Sequence, residues 1–269
     1  MRPLIRWLWH GLAAPRLTSR YPRRAEPAPA GFRGRAVLAG APSREQAAAA
    51  AAACLPGALA ADGARLRLDA ARCIGCGLCV RAVSGGPLRM EPRLELAARE
   101  RASLLATSPP EAAERGRELP PPRRLPRPLR RSIHIRHVDT GSDGAIEQEI
   151  AALLNPYYDM QRLGLFFTAT PRHADVLLVT GPVTAAMEGY LLRTYEAMPE
   201  PRLVVAAGTD ACSGGIWSGP ETRGGVDSVL PVDVYVPGDP PPPIALLHGL
   251  LLAAGRAAPA GPPVAEGAR

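Results

Sequence analysis

The residues best suited to redox or metal chemistry lie in one short stretch, Arg72-Cys73-Ile74-Gly75-Cys76-Gly77-Leu78-Cys79-Val80. Three cysteines at C-x2-C-x2-C spacing offer thiolates in the pattern that 4Fe–4S clusters use. Gly75 and Gly77 let the backbone wrap tightly around an inorganic core. A cluster needs four ligands, and this loop holds three. The usual fourth position, after three intervening residues beyond Cys79, is Val83.

A candidate fourth thiol stands upstream at Cys54, in Ala53-Cys54-Leu55-Pro56-Gly57. In two-cluster bacterial ferredoxins the last cysteine of each run ligates the other cluster. Counting back from Cys54 at that spacing lands on Ala50, Ala47 and Arg44, none of them a ligand. One triplet is lost and its last cysteine remains; the other triplet remains and its last cysteine is lost. The complete set is Cys54, Cys73, Cys76 and Cys79, which predicts a half-ferredoxin with one 4Fe–4S cluster. A structural zinc site or unused thiols are the alternatives, although zinc sites rarely space three cysteines so closely. Thiols committed in this way imply a reducing compartment and no disulfides.

The length of 269 residues suggests two domains, or one and a half. All 32 basic residues are arginine, and the net charge is +7. Residues 1–53 carry nine Arg and two Glu, so the whole excess belongs to the N-terminus. Such a segment favours lipid headgroups, nucleic acid or an acidic partner. Nucleic acid is set aside, because no aromatic platform or basic helix accompanies the arginines. No apolar run is long enough to cross a bilayer. Residues 1–14 mix Arg2 and Arg6 with Leu4, Ile5, Trp7, Leu8, Trp9 and Leu12, which suits an interfacial amphipathic helix or one docked on a partner.

These patterns predict the positioning elements. Residues 1–42 should be the N-terminal helix and an extended Arg/Pro-rich arm that needs a partner to order it. Residues 43–106 form the cluster domain. It has a capped helix from Ser43, a hairpin turning at Asp62-Gly63 that brings Cys54 and Cys73 to one end, and a short helix from Pro92 to Leu105. Residues 107–131 read as a Pro/Arg-rich linker, and 257–269 as a disordered tail. Between them the texture changes. Strands at Ser132–Asp139, Val176–Gly181, Leu203–Gly208 and Val232–Gly238 alternate with helices, the middle two as continuous apolar runs. This predicts an α/β fold with a doubly wound, flavodoxin-like parallel sheet over 132–256, after a degenerate ferredoxin-like α+β domain.

Residues 132–256 resemble the small, cluster-bearing subunit shared by complex I (the B-type subunit of NADH:quinone oxidoreductase) and the group 4 membrane-bound [NiFe] hydrogenases. The matching words are Val138-Asp139-x-Gly141, Glu147-x-Glu149, the run Pro171 to Thr184, Pro199-x-Pro201, Ser213-Gly214-Gly215 and Pro231-Val232-Asp233-Val234-Tyr235-Val236-Pro237-Gly238. Residues 1–105 resemble the companion ferredoxin-like subunit of the same hydrogenases, so the chain reads as a fusion of the two. The resemblance implies a second 4Fe–4S cluster on strand-end loops, but its ligand positions here hold Asp143, Ile146, Asp210 and Asp239. Carboxylates are poor cluster ligands and isoleucine is none, so this site should be degenerate. Its three aspartates should converge on one pocket. There they would repel one another, pair with Arg136, Arg172 or Arg223, hold a hard divalent cation, or face water. Cys212 is a lone thiol, and the dispersed His134, His137, His173 and His248 suggest no shared metal site.

Such a pattern is similar to hydrogenase-related (Ehr-type) complexes that lost hydrogenase ligands and kept the membrane arm. The implied function is an electron-transfer or coupling subunit, not catalytic alone, of a quinone- or hydrogenase-type oxidoreductase assembly. The implied partners are a large-subunit homologue, membrane-arm subunits and the membrane surface. The implied location is peripheral, on the cytoplasmic face of the bacterial inner membrane. The competing reading is a non-redox scaffold joining peripheral and membrane arms.

Overall fold

The computed structural model describes residues 3–13, 17–83, 86–109, 123–217, 219–261 and 263. Its C-terminal part is built on five parallel strands: β6 (Ile133–Asp139), β7 (Leu165–Phe167), β8 (Val176–Thr180), β9 (Leu203–Ala207) and β10 (Val234–Val236). They lie in the order β10-β9-β8-β6-β7. In domain order that is 5-4-3-1-2, the flavodoxin-like doubly wound arrangement with its switch point between β6 and β8. Successive residues of each strand face opposite layers. Leu178, Val205 and Val236 face one core with α4 (Ala145–Ala152) and α7 (Pro243–Ala253), while Leu177, Val204 and Tyr235 face the other with α5 (Ala185–Glu196) and α6 (Thr209–Ser213). Coverage on both faces explains why these strands read as continuous apolar runs. Every residue of α7 is buried, and no helix among the described residues is long and apolar enough to cross a membrane.

The N-terminal part begins with α1 (Pro3–Ala13), whose Ile5, Trp7, Leu8, Trp9 and Leu12 are exposed. It continues with two small antiparallel sheets. Strand β1 (Arg35–Leu38) pairs with β4 (Leu88–Glu91), and β2 (Leu59–Asp62), β3 (Arg65–Asp69) and β5 (Leu105–Ser108) form the second sheet. The capping box at Ser43 starts α2 (Arg44–Ala52), with Ser43 and Gln46 each bonding the other's backbone N–H. The hairpin turns at Gly63-Ala64, one residue later than expected.

Four segments differ from expectation, each through long-range contacts. No helix spans Pro92 to Leu105. Ala98 instead bridges Tyr235 at the β10 edge with paired backbone bonds of 2.8 and 2.9 Å, which blunts an edge that would otherwise be open. The arm after α1 is ordered on the sheet domain itself. Tyr21 is buried, Ser19 N–H donates to Tyr157 O, and Arg162 donates to the Ser19 and Tyr21 carbonyls. The linker is ordered from Arg123, whose guanidinium grips buried Asp233 at 2.6 and 2.7 Å; residues 110–122 lie outside the described set. The described part of the tail is held through Ala260 N–H to Ala97 O and Leu38 N–H to Pro263 O; residues 262 and 264–269 lie outside the described set. Buried His248 couples these last pieces: Nδ1 accepts from Ala97 N–H and Nε2 donates to Ala258 O. Both bonds need the neutral ring, and burial pushes its pKa down.

Candidate functional site

Cys54 follows the C-terminal end of α2, and Cys73 and Cys76 lie on the loop after β3. Cys79 opens the short helix α3 (Leu78–Ala82). All four line one small pocket with Ala36, Pro56 and Ile74. The loop's shape depends on two glycines in the left-handed region, Gly75 at φ 66° and Gly77 at φ 75°. A Cβ on Gly75 would also lie 2.7 Å from the Gly34 carbonyl. The backbone amides of Ala36 and Gly75 favour the Cys73 thiolate, and that of Val80 the Cys79 thiolate, against the opposing effect of burial. Amide donors of this kind stabilise thiolate ligands and tune a cluster's potential. Burial and repulsion from the neighbouring sulfurs push Cys79 up to about 11, and Cys73 is raised mainly by burial. Four thiols so arranged ionise together only around a compensating cationic core.

Among the described residues no three His, Cys, Asp or Glu side chains close on a single ion position. A 4Fe–4S cube binds each thiolate at a different iron, so its ligands surround the core. The donor set and the amide shell fit the cluster.

The second candidate group lies at the carboxyl edge of the parallel sheet. Asp143 is on the loop after β6, where its Oδ1 accepts from Ala145 N–H. Asp210 is on α6 after β9, and Asp239 follows β10. The loops of β6 and β8 interlock at the switch point, where Thr140 N–H donates to Thr180 O and Thr184 N–H donates to Thr140 O. Asp210 is buried and accepts from the Trp217 indole at 3.1 Å. Burial, then repulsion from Asp239 and Asp143, raises it to about 6. Asp239 is raised by burial and by Asp143. The structure therefore brings the three carboxylates into mutual range. Ile146, the fourth position, is buried in the core, where its Cδ1 fills the space beside Gly208.

The arginines expected to pair with these aspartates are engaged elsewhere or not in contact. Arg223 pairs with Glu188 at 2.8 Å, Arg136 donates to the Ala169 carbonyl, and no ion pair of Arg172 occurs among the described residues. Cys212 is fully buried in the core, pushed up to about 12 by burial. Glu147 accepts from Ser142 and Thr180 hydroxyls, and Thr180 also bonds His137 Nε2 at 2.9 Å.

The two candidate groups touch. Thr209, next to Asp210, reaches the Cys73 carbonyl at 3.4 Å. Arg72 spans the Pro56 and Gly215 carbonyls, both at 3.4 Å. A cleft of about 260 Å³ is lined by Cys73, Gly75 and Asp239 together. Sequence reading missed Thr209, Arg72 and Trp217. Only the position of Arg72 directly before Cys73 hinted at a role.

The sheet order, the switch-point loops and the carboxylates on three of them define a flavodoxin-like domain of the kind that carries ligands at its carboxyl edge. The family described as NADH ubiquinone oxidoreductase, 20 Kd subunit, matches residues 144–253. An uncharacterized protein of Methanocaldococcus jannaschii is 46% identical over 128 residues, covering 48% of this chain and 86% of that protein. The probable membrane-bound hydrogenase subunit mbhJ of Pyrococcus furiosus is 44% identical over 124 residues, covering 46% of this chain and 74% of that one. An NADH-quinone oxidoreductase subunit of Citrifermentans bemidjiense is 50% identical over 94 residues, covering 35% and 55%. The chain belongs to the 20 Kd subunit family of NADH ubiquinone oxidoreductase. The matched region excludes all four clustered cysteines.

Proposed function

We propose that the chain is an electron-transfer and coupling subunit of a complex I-like or hydrogenase-related membrane complex. It holds one 4Fe–4S cluster on Cys54, Cys73, Cys76 and Cys79, in a ferredoxin-like portion fused to the family domain. The observation that carries this reading is the single small pocket that all four cysteines line. The names of the Pyrococcus furiosus and Citrifermentans bemidjiense relatives support membership in such an assembly.

When bound, the cluster supplies a one-electron relay. The chain's own residues fix where that relay would sit. Gly75 and Gly77 shape the loop, the Arg33 guanidinium holds the Cys76 carbonyl at 2.8 Å, and Thr209 and Arg72 tie the loop to the family domain. In that domain Asp143, Ile146, Asp210 and Asp239 stand as a degenerate cluster site. Ile146 is turned into the core, and Asp210 lies against Gly215, where a Cβ would collide with its carboxylate. A cluster there would find no thiolates.

The partners are a large-subunit homologue and membrane-arm subunits, with the chain peripheral on the cytoplasmic face. Exposed Trp7 and Trp9 of α1 suit a membrane or subunit contact. The loss of the second ligand set favours one other reading, a scaffold that carries no electrons. Electron paramagnetic resonance of the anaerobically purified, dithionite-reduced protein separates the two. A signal of one reduced 4Fe–4S cluster, absent in Cys76→Ser, supports the relay. A silent, iron-free wild-type protein supports the scaffold.

A further inference from the structure

A wide cavity lies away from the cysteines, at the β7 edge of the parallel sheet. It is an open pocket of about 830 Å³, and Arg127, Arg130, Arg131, Arg162 and Arg256 line it. No Asp or Glu lines it among the described residues. Three of the arginines are held by backbone carbonyls. Arg130 Nε donates to Leu125 O at 2.8 Å, Arg162 Nη2 to Tyr21 O at 2.8 Å, and Arg256 Nη1 to Leu163 O. Such bonds aim a guanidinium without neutralising it. Burial, then repulsion from Arg131, pushes Arg256 below its ordinary value, as expected where like charges gather without a counter-charge.

We propose that this pocket binds an anion carrying two or more phosphate charges, gripped by the five arginines. Arginine forks match phosphate oxygens in paired hydrogen bonds. Ser132 and Gln161, also on the lining, add neutral donors. The volume falls in the range of small-molecule sites and is too large for one phosphate. The same chemistry has two sources, a free diphosphate-type anion or the headgroups of acidic phospholipids. Chain geometry favours the lipid. Arg162 bonds the Ser19 carbonyl at 3.0 Å, and Ser19 is six residues from the end of α1 at Ala13. Six residues reach about 20 Å at most, so the exposed tryptophans are tethered close to the pocket. The lipid source rests on the membrane association proposed above; the free-anion source does not, so the two fail separately.

The test uses the full chain at 0.15 M salt, with inorganic diphosphate as the soluble probe and vesicles with or without acidic phospholipid as the membrane probe. Arg127→Gln with Arg131→Gln is the informative variant, since no structural hydrogen bond of either guanidinium occurs among the described residues. Arg81→Gln with Arg89→Gln, exposed and remote in sequence, is the charge-matched control. At least tenfold weaker diphosphate binding in the first variant, with the control unchanged, supports the pocket. An equal tenfold loss on acidic vesicles assigns it to lipid, and unchanged vesicle binding assigns it to a free anion. Equal losses in both double variants would overturn the proposal as general electrostatics. Displacement of diphosphate by polyglutamate at lower concentration would also overturn it, in favour of an acidic protein segment.

Discussion

Replacing Asp210 by Asn should stabilise the protein, and by an amount that depends on pH. Burial and the charges of Asp239 and Asp143 raise Asp210 from an ordinary 3.8 to about 6. At about 1.4 kcal/mol for each tenfold change in a proton equilibrium, that corresponds to roughly 3 kcal/mol. A carboxyl whose folded pKa is raised contributes stability below its unfolded pKa, and loses it as pH rises through the folded value. The wild-type penalty therefore grows from about pH 4 and is complete above about pH 6. Asparagine keeps an oxygen for the Trp217 indole and carries no charge to repel. The Asn variant should exceed wild type by about 3 kcal/mol at pH 8 and by about 2 kcal/mol at pH 5.5, measured by anaerobic urea unfolding. A carbon-13 titration of the Asp210 carboxyl, assigned by its absence from the variant, should show a midpoint near 6. A midpoint near 4, with no pH dependence of the stability difference, would refute the idea that Asp210 is desolvated beside the charges of Asp239 and Asp143.

Other outcomes follow from the same geometry. Arg123→Ala leaves Asp233 buried, with the Val204 N–H at 2.7 Å and the charge of Arg99 to compensate it, and should lower stability by about 2–3 kcal/mol in urea unfolding. Gly75→Ala forces a side chain into a left-handed position against the Gly34 carbonyl; iron content should fall by more than half while far-ultraviolet circular dichroism stays close to wild type. Deleting residues 1–13 should reduce co-sedimentation with membranes several-fold at 0.15 M salt and leave the thermal midpoint unchanged, because the α1 side chains from Ile5 onward are exposed. Truncation to Gly34 should instead destabilise the fold, because Tyr21 is core.

What could be read from the sequence was local. The Cys73, Cys76, Cys79 spacing, the Ser43 capping box and the apolar runs at Val176–Thr180 and Leu203–Ala207 each carry their meaning in a few adjacent residues. The parallel sheet followed from them. The segments that escaped prediction owe their structure to partners far away in sequence. Residues around Ala98 have mixed helical character, yet the open β10 edge at Tyr235 draws them into a bridge. Residues 257–261 look disordered by composition, yet His248 holds Ala258 and Ala97 holds Ala260. The arm looked unanchored because its partners, Tyr157 O and the guanidinium of Arg162, lie over 130 positions downstream. The aspartate corner was legible only through the family resemblance, since nothing near Asp143, Asp210 or Asp239 marks them as neighbours.

The central claim is that one cluster is held by Cys54, Cys73, Cys76 and Cys79, and that the family domain holds none. Iron and acid-labile sulfide, measured on anaerobically purified protein, test it most directly. The account predicts about four of each per chain, with both lost in Cys76→Ser. About eight of each would mean that the aspartate corner still carries a cluster, and stoichiometric zinc without sulfide would mean that the cysteines serve a structural metal instead.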